Sequence, residues 1–450
     1  MSSKNILFAS PLLCLPLALA VVPANYASAA IITTVTNCND NGPGSLRDAV
    51  ASAGSGDTIE LPTSCGGIKL SIGPIAVAQD DLTLKGPGMH RFHIWGNHAD
   101  SVIRHSGTGT LRLLGLTVEE GYRAEREARG GCIYSAGNIQ AYDVEIRDCG
   151  AHGVPIPPGT YRFSAGAGAY AVGDIDMSYS GIISNRARAK GSLGGGLYAG
   201  GKLTLRHVVV RNNYAQVGGG AYVVGALSLD DAIFRRNQAW LDSGAVRTQG
   251  EGPVTIFNSD IHGNMSGGNS GALGLDGFAD KLIVNSTISG NRAGFQSAAG
   301  SWSVGMASGH VTITNSTIAF NTARTCDAAL AGTTFHLESA IVAKNNCSTA
   351  PGVSVADLDL RVVDDSQPPV EGEDNVVRSA NVPLPPDTIH ADPLLLPLAD
   401  NGGSTQTHAL ATGSPAIDHG NNAAGLPYDQ RGTGFSRTSG ARTDIGAFER

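Results

Sequence analysis

GGGLYAGGKLTLRHVVVRNNYAQV (194–217) is followed at once by GGGAYVVGALSLDDAIFRRNQAWL (218–241), a second copy of the same 24-residue pattern. In the first copy Leu203 and Leu205 alternate with polar neighbours, two outward positions intervene, and Val208 and Val210 resume the alternation. Leu227, Leu229, Ala232 and Phe234 repeat this in the second, and Ile139, Ala141, Val144 and Ile146 in an earlier unit. Alternation marks a strand, because successive side chains leave opposite faces. A one-step break marks a corner between two short strands. Neither strand is long enough to bury a face alone. Stacked copies solve this: each strand pairs with its counterpart about 4.8 Å above, and the inward residues merge into one core. The pattern predicts an all-β fold made of coils of a parallel β-helix, right-handed because parallel crossovers strongly prefer that hand.

Two anchors carry the repeat along the chain. A Gly-like position recurs at Cys132, Gly168, Gly196, Gly220, Gly244, Gly271, Gly300 and Asp327. An Asn-like position recurs at Cys149, Asn185, Asn213, Asn237, Asn264, Asn291, Asn321 and Asn345. The two are 17 residues apart in the first four units and 18 to 21 apart afterwards. Glycine suits a tight corner, and a buried Asn can satisfy backbone groups left unpaired at a bend. Before residue 119 the segments DTIEL, GIKLSI, DLTLKG and TLRLLGLTVEEG read as further strands. The estimate is about eleven coils and a rod roughly 50 Å long. SLRDAVASA (45–53) pairs Ser45 with Asp48 as a capping box and spaces Leu46, Ala49, Val50 and Ala53 as an amphipathic helix. It is expected to cap the first open end of the rod. Residues 351–390 are rich in Pro and Asp and lack the repeat. The expected organisation is a signal peptide at 1–29, a cap at 30–58, the β-helix at 59–350, and a loop-rich, irregular C-terminal segment at 351–450.

Composition agrees with this reading. Gly is 60 of 450 residues and charged residues are 16%, which fits neither a disordered charged chain nor a helical bundle. The apolar run Ile6–Val22 after Lys4, with Ala27-Ser28-Ala29 behind it, reads as an export signal, with no membrane span expected after its removal. The remaining chain has 30 basic and 39 acidic residues, a formal charge of −9, which argues against nucleic acid. Six cysteines remain, and an even number in an exported protein reads as disulfides. Successive pairing gives Cys38–Cys65, Cys132–Cys149 and Cys326–Cys347. The expected location is extracellular, on a bacterial cell surface, or periplasmic.

Three stretches resemble known families. GGGAY with Phe234–Asn237 resembles the repeats of polymorphic outer-membrane proteins, which are surface β-helices. TTVTNCNDNGPGSLRDAV (33–50) resembles the N-terminal segment of many bacterial secreted β-helix proteins. The end of the chain, ADPLLLPLADNGGSTQTHALATGSPAIDHG (391–420) with DQRG (429–432) and DIGAFE (444–449), resembles the choice-of-anchor Q domain. The resemblance implies a right-handed β-helix exported to the surface or beyond, and it implies no single activity. Such proteins often continue into a sorting tail, whereas this sequence ends at Arg450, so covalent anchoring is not expected. The turn residues of the terminal phrases have a structural use, with Asp429 and Arg431 as a local ion pair.

Three places present themselves for chemistry. The long insertions fall early and at one corner, and functional groups favour loops on a rigid scaffold. They hold Arg123, Arg126, Arg129, Arg162, Arg186, Arg188 and Lys190, with Tyr122, Tyr161 and His152. Guanidinium groups match carboxylates bidentately, so this bay suits an anionic polysaccharide. Glu119, Glu120, Glu125 and Glu127 dilute its field, which leaves a solvated mixed surface as the plainer reading. Tyr134, Tyr170, Tyr198 and Tyr222 form a second candidate: an outward ladder that could carry sugar faces, if residues 133, 169, 197 and 221 point inward. With the opposite phase the row is core. The third is the corner row Asp143, Tyr179, His207 and Asp231, near Arg206 and Asp230. Acids beside Arg and His on a β-helix suit proton abstraction from an acidic polysaccharide, with calcium as the ion such carboxylates would hold. No protein cofactor or resident metal is otherwise expected, and no hydrolase, zinc-protease, P-loop or EF-hand signature occurs. The leading expectation is non-catalytic binding of a glycan or cell-surface ligand; the alternative is a lyase or hydrolase of acidic polysaccharide. The sequons at 285–287 and 315–317 sit inside strand–turn phrases and read as structural.

Overall fold

The computed structural model describes residues 30–154, 162–294, 302–307, 309–324, 328–332, 334–347, 360–362, 370–380 and 382–450. The expected signal peptide, Tyr161, Gly300, Cys326 and Asp327 lie outside the described residues.

Four short strands make one coil. In the coil that opens at Gly194, Leu203–Arg206 and Val209–Arg211 belong to a 23-stranded first sheet. Leu197–Ala199 belongs to an 11-stranded second sheet, and Tyr214–Val217 to a 9-stranded third sheet. The next coil lies in register on it: Leu197 beside Ala221, Leu203 beside Leu227, Val209 beside Ile233. These ladders are parallel, and the chain is a parallel β-helix whose second sheet has eleven strands among the described residues. Leu203, Leu205, Val208 and Val210 are all fully buried, as the alternation requires. The inward residues from Val35 to Val377 form one continuous cluster. Burying each such aliphatic side chain stabilises the fold by about 1.5–3 kcal/mol.

The corner that breaks the alternation is a left-handed backbone residue. His207 has φ 53°, and Asp143, Tyr179, Asp231, Asn258, Asn285, Asn315, Ser339 and Asp374 hold the same position with φ between 43° and 56°. Asp, Asn and His tolerate that region better than most side chains, which accounts for most of the row. The Asn anchors form a second vertical line. Asn185, Asn213, Asn237, Asn264, Asn291, Asn321 and Asn345 are buried, and each of the first six donates Nδ2 to the Oδ1 of the next at 2.9–3.0 Å. Each also donates to a carbonyl one coil back, as Asn213 does to Ile182. Across the coil the Gly anchor faces this line. A Cβ at Gly196 would lie 2.7 Å from the Gly220 carbonyl oxygen and 3.1 Å from Asn213. Cys132 and Cys149 hold the same facing positions two units earlier and are joined as a disulfide. Cys38–Cys65 is joined as well.

The ends differ from each other. Leu46–Ser52 is a helix whose N-cap Ser45 accepts from the Asp48 N–H at 3.2 Å, and its Leu46, Ala49 and Val50 are buried against the first coils. Ile32–Thr34 pairs in parallel with Thr58–Glu60, so a rung precedes the helix. The rod also runs past residue 350. Leu360–Val362, Glu371–Glu373 and Val376–Val377 add parallel pairings to it, although this stretch reads as loop-rich transition in the sequence. The insertion before residue 370 hides that rung. Asn375 accepts there from the Ala340 N–H and donates to the Leu337 carbonyl, so a buried Asn again closes a bend.

Residues 391–450 then fold back along the outside of the later coils. Asn285 and Arg437, Thr287 and Gln430, Asn315 and Asn421, and Thr317 and Ala447 are hydrogen-bonded across this junction. The asparagines of both sequons are therefore buried.

Candidate functional site

Alanine sets the shape of the third sheet. Ala151, Ala187, Ala215 and Ala239 point inward at equivalent positions and are buried. Their small size lets this sheet close against the Gly corner: a Cβ at Gly195 would come within 2.5 Å of the Tyr214 carbonyl. The flanking residues must then point out. Arg186, Tyr214, Gln238 and Met265 stack in one outward row. His152 and Arg188 are partners in the other, which continues towards Gln216 and Trp240. Along one edge, Ser184, Asn212 and Arg236 take left-handed backbone at 58°, 57° and 54°, each directly before a residue of the Asn line. Such conformations cost of order 1 kcal/mol each, and the buried Asn bonds hold them.

These rows line a groove of about 1040 Å³. Its walls include Arg162, Arg186, Arg188 and Arg236, with His152, Tyr214, Gln216, Gln238 and Trp240, and among the described residues no carboxylate. Among the described residues none of these arginines forms an ion pair with a carboxylate. Trp240 is 48% exposed, so its ring is offered to a ligand. A second recess of about 460 Å³ shares His152, Arg186 and Arg188 and adds His98, Tyr122 and Asp148. There Tyr122 Oη lies 2.9 Å from His152 Nδ1.

The arginines of the early insertions separate into two groups. Arg162, Arg186 and Arg188 converge on the groove. Arg123 turns to Asp100 and Glu125 at 2.8 and 2.6 Å. Arg129 pairs with Glu127 at 2.9 Å and, with Arg126 and Arg104, lines a separate hollow beside Tyr134. Lys190 is exposed and outside the groove lining. Arg236 and Trp240 were not singled out from the sequence. The signal was present: with Ala239 inward, Gln238 and Trp240 must point outward.

Ile133, Ala169, Leu197 and Ala221 are buried inward, so the tyrosine row points out. Tyr134, Tyr170, Tyr198 and Tyr222 stack with centroids 5.6, 4.5 and 5.5 Å apart and planes within 9°. Arg104 lies over the outer face of Tyr134 at 4.5 Å. The ring faces are thus largely engaged with one another. Burial raises the Tyr170 phenol to about 12 and pushes Tyr198 and Tyr222 up too. On the corner row, Tyr179 stacks on His207 at 4.6 Å, and His207 Nδ1 lies 3.0 Å from Asp231, which accepts from Ser404. Asp143 accepts from the Met89 N–H. Among the described residues no group of three or more His, Cys, Asp or Glu is placed to hold a metal ion.

The terminal phrases build a buried charge network. Arg431 pairs with Asp429 at 2.6 Å between the rings of Phe435 and Phe448, each 4.0 Å away. Arg437 is 1% exposed and reaches Glu449 at 3.3 Å and the Gly446 and Asp444 carbonyls at 3.0 Å. Glu449 in turn accepts from the Asp444 and Ser439 N–H groups.

No protein-family model matches the chain, and no curated protein matches it. Among solved structures, the crystal structure of pectate lyase Pel9A aligns with a TM-score of 0.41 and 15% identity, over 94% of this chain and 97% of that one.

Proposed function

We propose that this protein is a secreted or surface-associated β-helix that binds an anionic glycan along the outer face of its third sheet. The observation that carries this reading is the groove: Arg162, Arg186, Arg188 and Arg236 line it with no carboxylate among the described residues, and Trp240 stands exposed among them. Planar guanidinium groups suit the carboxylates of uronates, and an exposed indole suits the apolar face of a sugar ring. The protein as a whole is acidic, so the positive field is local to the groove. Two disulfides and the resemblance of both ends to exported β-helix proteins, including the choice-of-anchor Q domain, support a location outside the cytoplasm.

Titration of the purified protein with polygalacturonate, alginate and a neutral glucan tests the reading. The acidic polymers should bind, and Arg186→Ala with Arg188→Ala should weaken them by about tenfold or more, as expected for two charge-assisted contacts. Equal affinity for the neutral glucan, or unchanged binding by the double variant, would remove the groove as the site.

One observation favours a second reading, cleavage of the same polymer. Tyr122 and His152 form a hydrogen-bonded pair beside Arg186, which offers a proton-transfer couple next to a cation. Appearance of unsaturated or reducing ends, with and without calcium, would select this alternative over binding alone.

A further inference from the structure

The fold-back of residues 391–450 forms a further cavity against the rod, adjoining the arginine groove at Gly263. It measures about 490 Å³ and is lined by Ser289, His408, His262, Phe320, Leu395 and Leu398 among others. Ser289 comes from the rod and His408 from the C-terminal segment. Ser289 Oγ lies 2.7 Å from His408 Nε2. His408 Nδ1 lies 2.7 Å from the Leu396 carbonyl oxygen. A carbonyl only accepts, so Nδ1 carries the hydrogen and Nε2 carries the lone pair. Ser289 must therefore donate its hydroxyl hydrogen to His408. That is the arrangement of a serine nucleophile with its base, the base oriented by a third group. Burial also holds His408 below its ordinary value, so the imidazole stays neutral near pH 7.

The surroundings suit an acyl group. Phe320, Leu395 and Leu398 give apolar walls, and Phe320 is 37% exposed, so the cavity reaches the surface. His262 sits one rung from Ser289, in register with it. Buried Asp260 Oδ1 lies 2.9 Å from His262 Nδ1, which fixes the orientation of that ring beside the cavity.

We propose that Ser289 and His408 form an acyl-transfer dyad that hydrolyses carboxylic esters bearing an apolar acyl group. Ser289 Oγ bonds to the acyl carbon while its proton passes to His408 Nε2. The bond from acyl carbon to alcohol oxygen breaks, and His408 returns the proton to the departing alcohol. Water, deprotonated by His408 Nε2, then attacks the acyl carbon, the bond to Ser289 Oγ breaks as His408 passes that proton to Oγ, and the carboxylic acid leaves. This proposal does not rest on glycan binding in the groove.

The test uses the full chain with its disulfides intact. Treatment with a fluorophosphonate, followed by peptide mass analysis, should place a phosphonyl adduct on Ser289. p-Nitrophenyl butyrate should be turned over, with loss of turnover in Ser289→Ala and a decrease of about a hundredfold or more in His408→Ala. Ser404→Ala, a change in the same segment, should keep wild-type turnover. The labelling needs no variant, so a folding defect in Ser289→Ala does not blunt it. Absence of an adduct on Ser289 in protein with a native circular dichroism spectrum would overturn the proposal. So would turnover that survives in Ser289→Ala.

Discussion

Asn213 Nδ2 donates to Asn237 Oδ1 at 2.9 Å, and the backbone N–H of Asn213 donates to the same oxygen at 3.1 Å. Asn237 repeats the arrangement on Asn264 and also donates to the Val210 carbonyl. One side chain thus satisfies two backbone groups of the coil before it and bonds the Asn side chain of the coil after it. Asn237→Ala should strand the Asn213 N–H and the Val210 carbonyl away from water. The expected loss is about 2–4 kcal/mol in urea unfolding. A loss below that of an exposed Asn39→Ala control would show that the line is decorative.

Glycine at the facing anchor is required by space. In Gly196→Ala the new methyl would meet both the Gly220 carbonyl oxygen and Ile182 Cγ2 at 2.7 Å. Neither backbone nor core can retreat, so the variant should lose about 1–3 kcal/mol. Gly66, where nothing lies within 4 Å of an added Cβ, should accept alanine within about 0.5 kcal/mol. Denaturant midpoints of the two variants make the comparison.

Cys132 and Cys149 stand where later coils place Gly and Asn, and Cys149 N already donates to Asn185 Oδ1. Removing the crosslink across its 17-residue span should cost about 3 kcal/mol in Cys132→Ala with Cys149→Ala. Cys132→Gly with Cys149→Asn should unfold at higher urea than the double alanine, because the Asn restores the ladder. Equal midpoints would mean that the Asn line cannot be extended into this coil.

The junction between rod and C-terminal segment should depend on pH through His408. Burial lowers its proton affinity below the ordinary value of 6.5, so the unfolded chain binds the proton more readily than the folded one. The contribution is complete above pH 6.5 and is lost as the pH falls from there towards the folded value. Thermal stability measured between pH 8 and 5 should decline on the acid side, and His408→Gln should flatten that decline. A decline of the same size in the variant would assign it to other groups.

Binding in the groove should quench Trp240 emission, with Trp240→Phe removing the signal and raising salt weakening the complex. Quenching by uronate oligomers that persists in Trp240→Phe would point to Trp95 or Trp302.

Much of this was legible in the chain, for a physical reason. Parity along a strand fixes which side chains face the core, so Leu203 to Val210 revealed the corner and the tyrosine row needed only the direction of Ile133 and Leu197. Spacing likewise revealed the Asn line and the cap helix. Pairing across coils was not legible. Arg123 is taken by Asp100, 23 residues away in an earlier coil, and nothing in EEGYRAEREARGG announces that partner. The same holds for Ser289 and His408, separated by 119 residues and brought together by loops without a period.

The final residues are tied both to the flank of the rod, where Ala447 donates to Thr317, and to their own segment, where Glu449 donates to Asp429 and Arg450 to Asp444. Tension applied at that point would load many bonds at once, sideways across the stack. It would not peel one rung after another from the tip, and a sheared junction of this kind yields at higher force than an unzipped one.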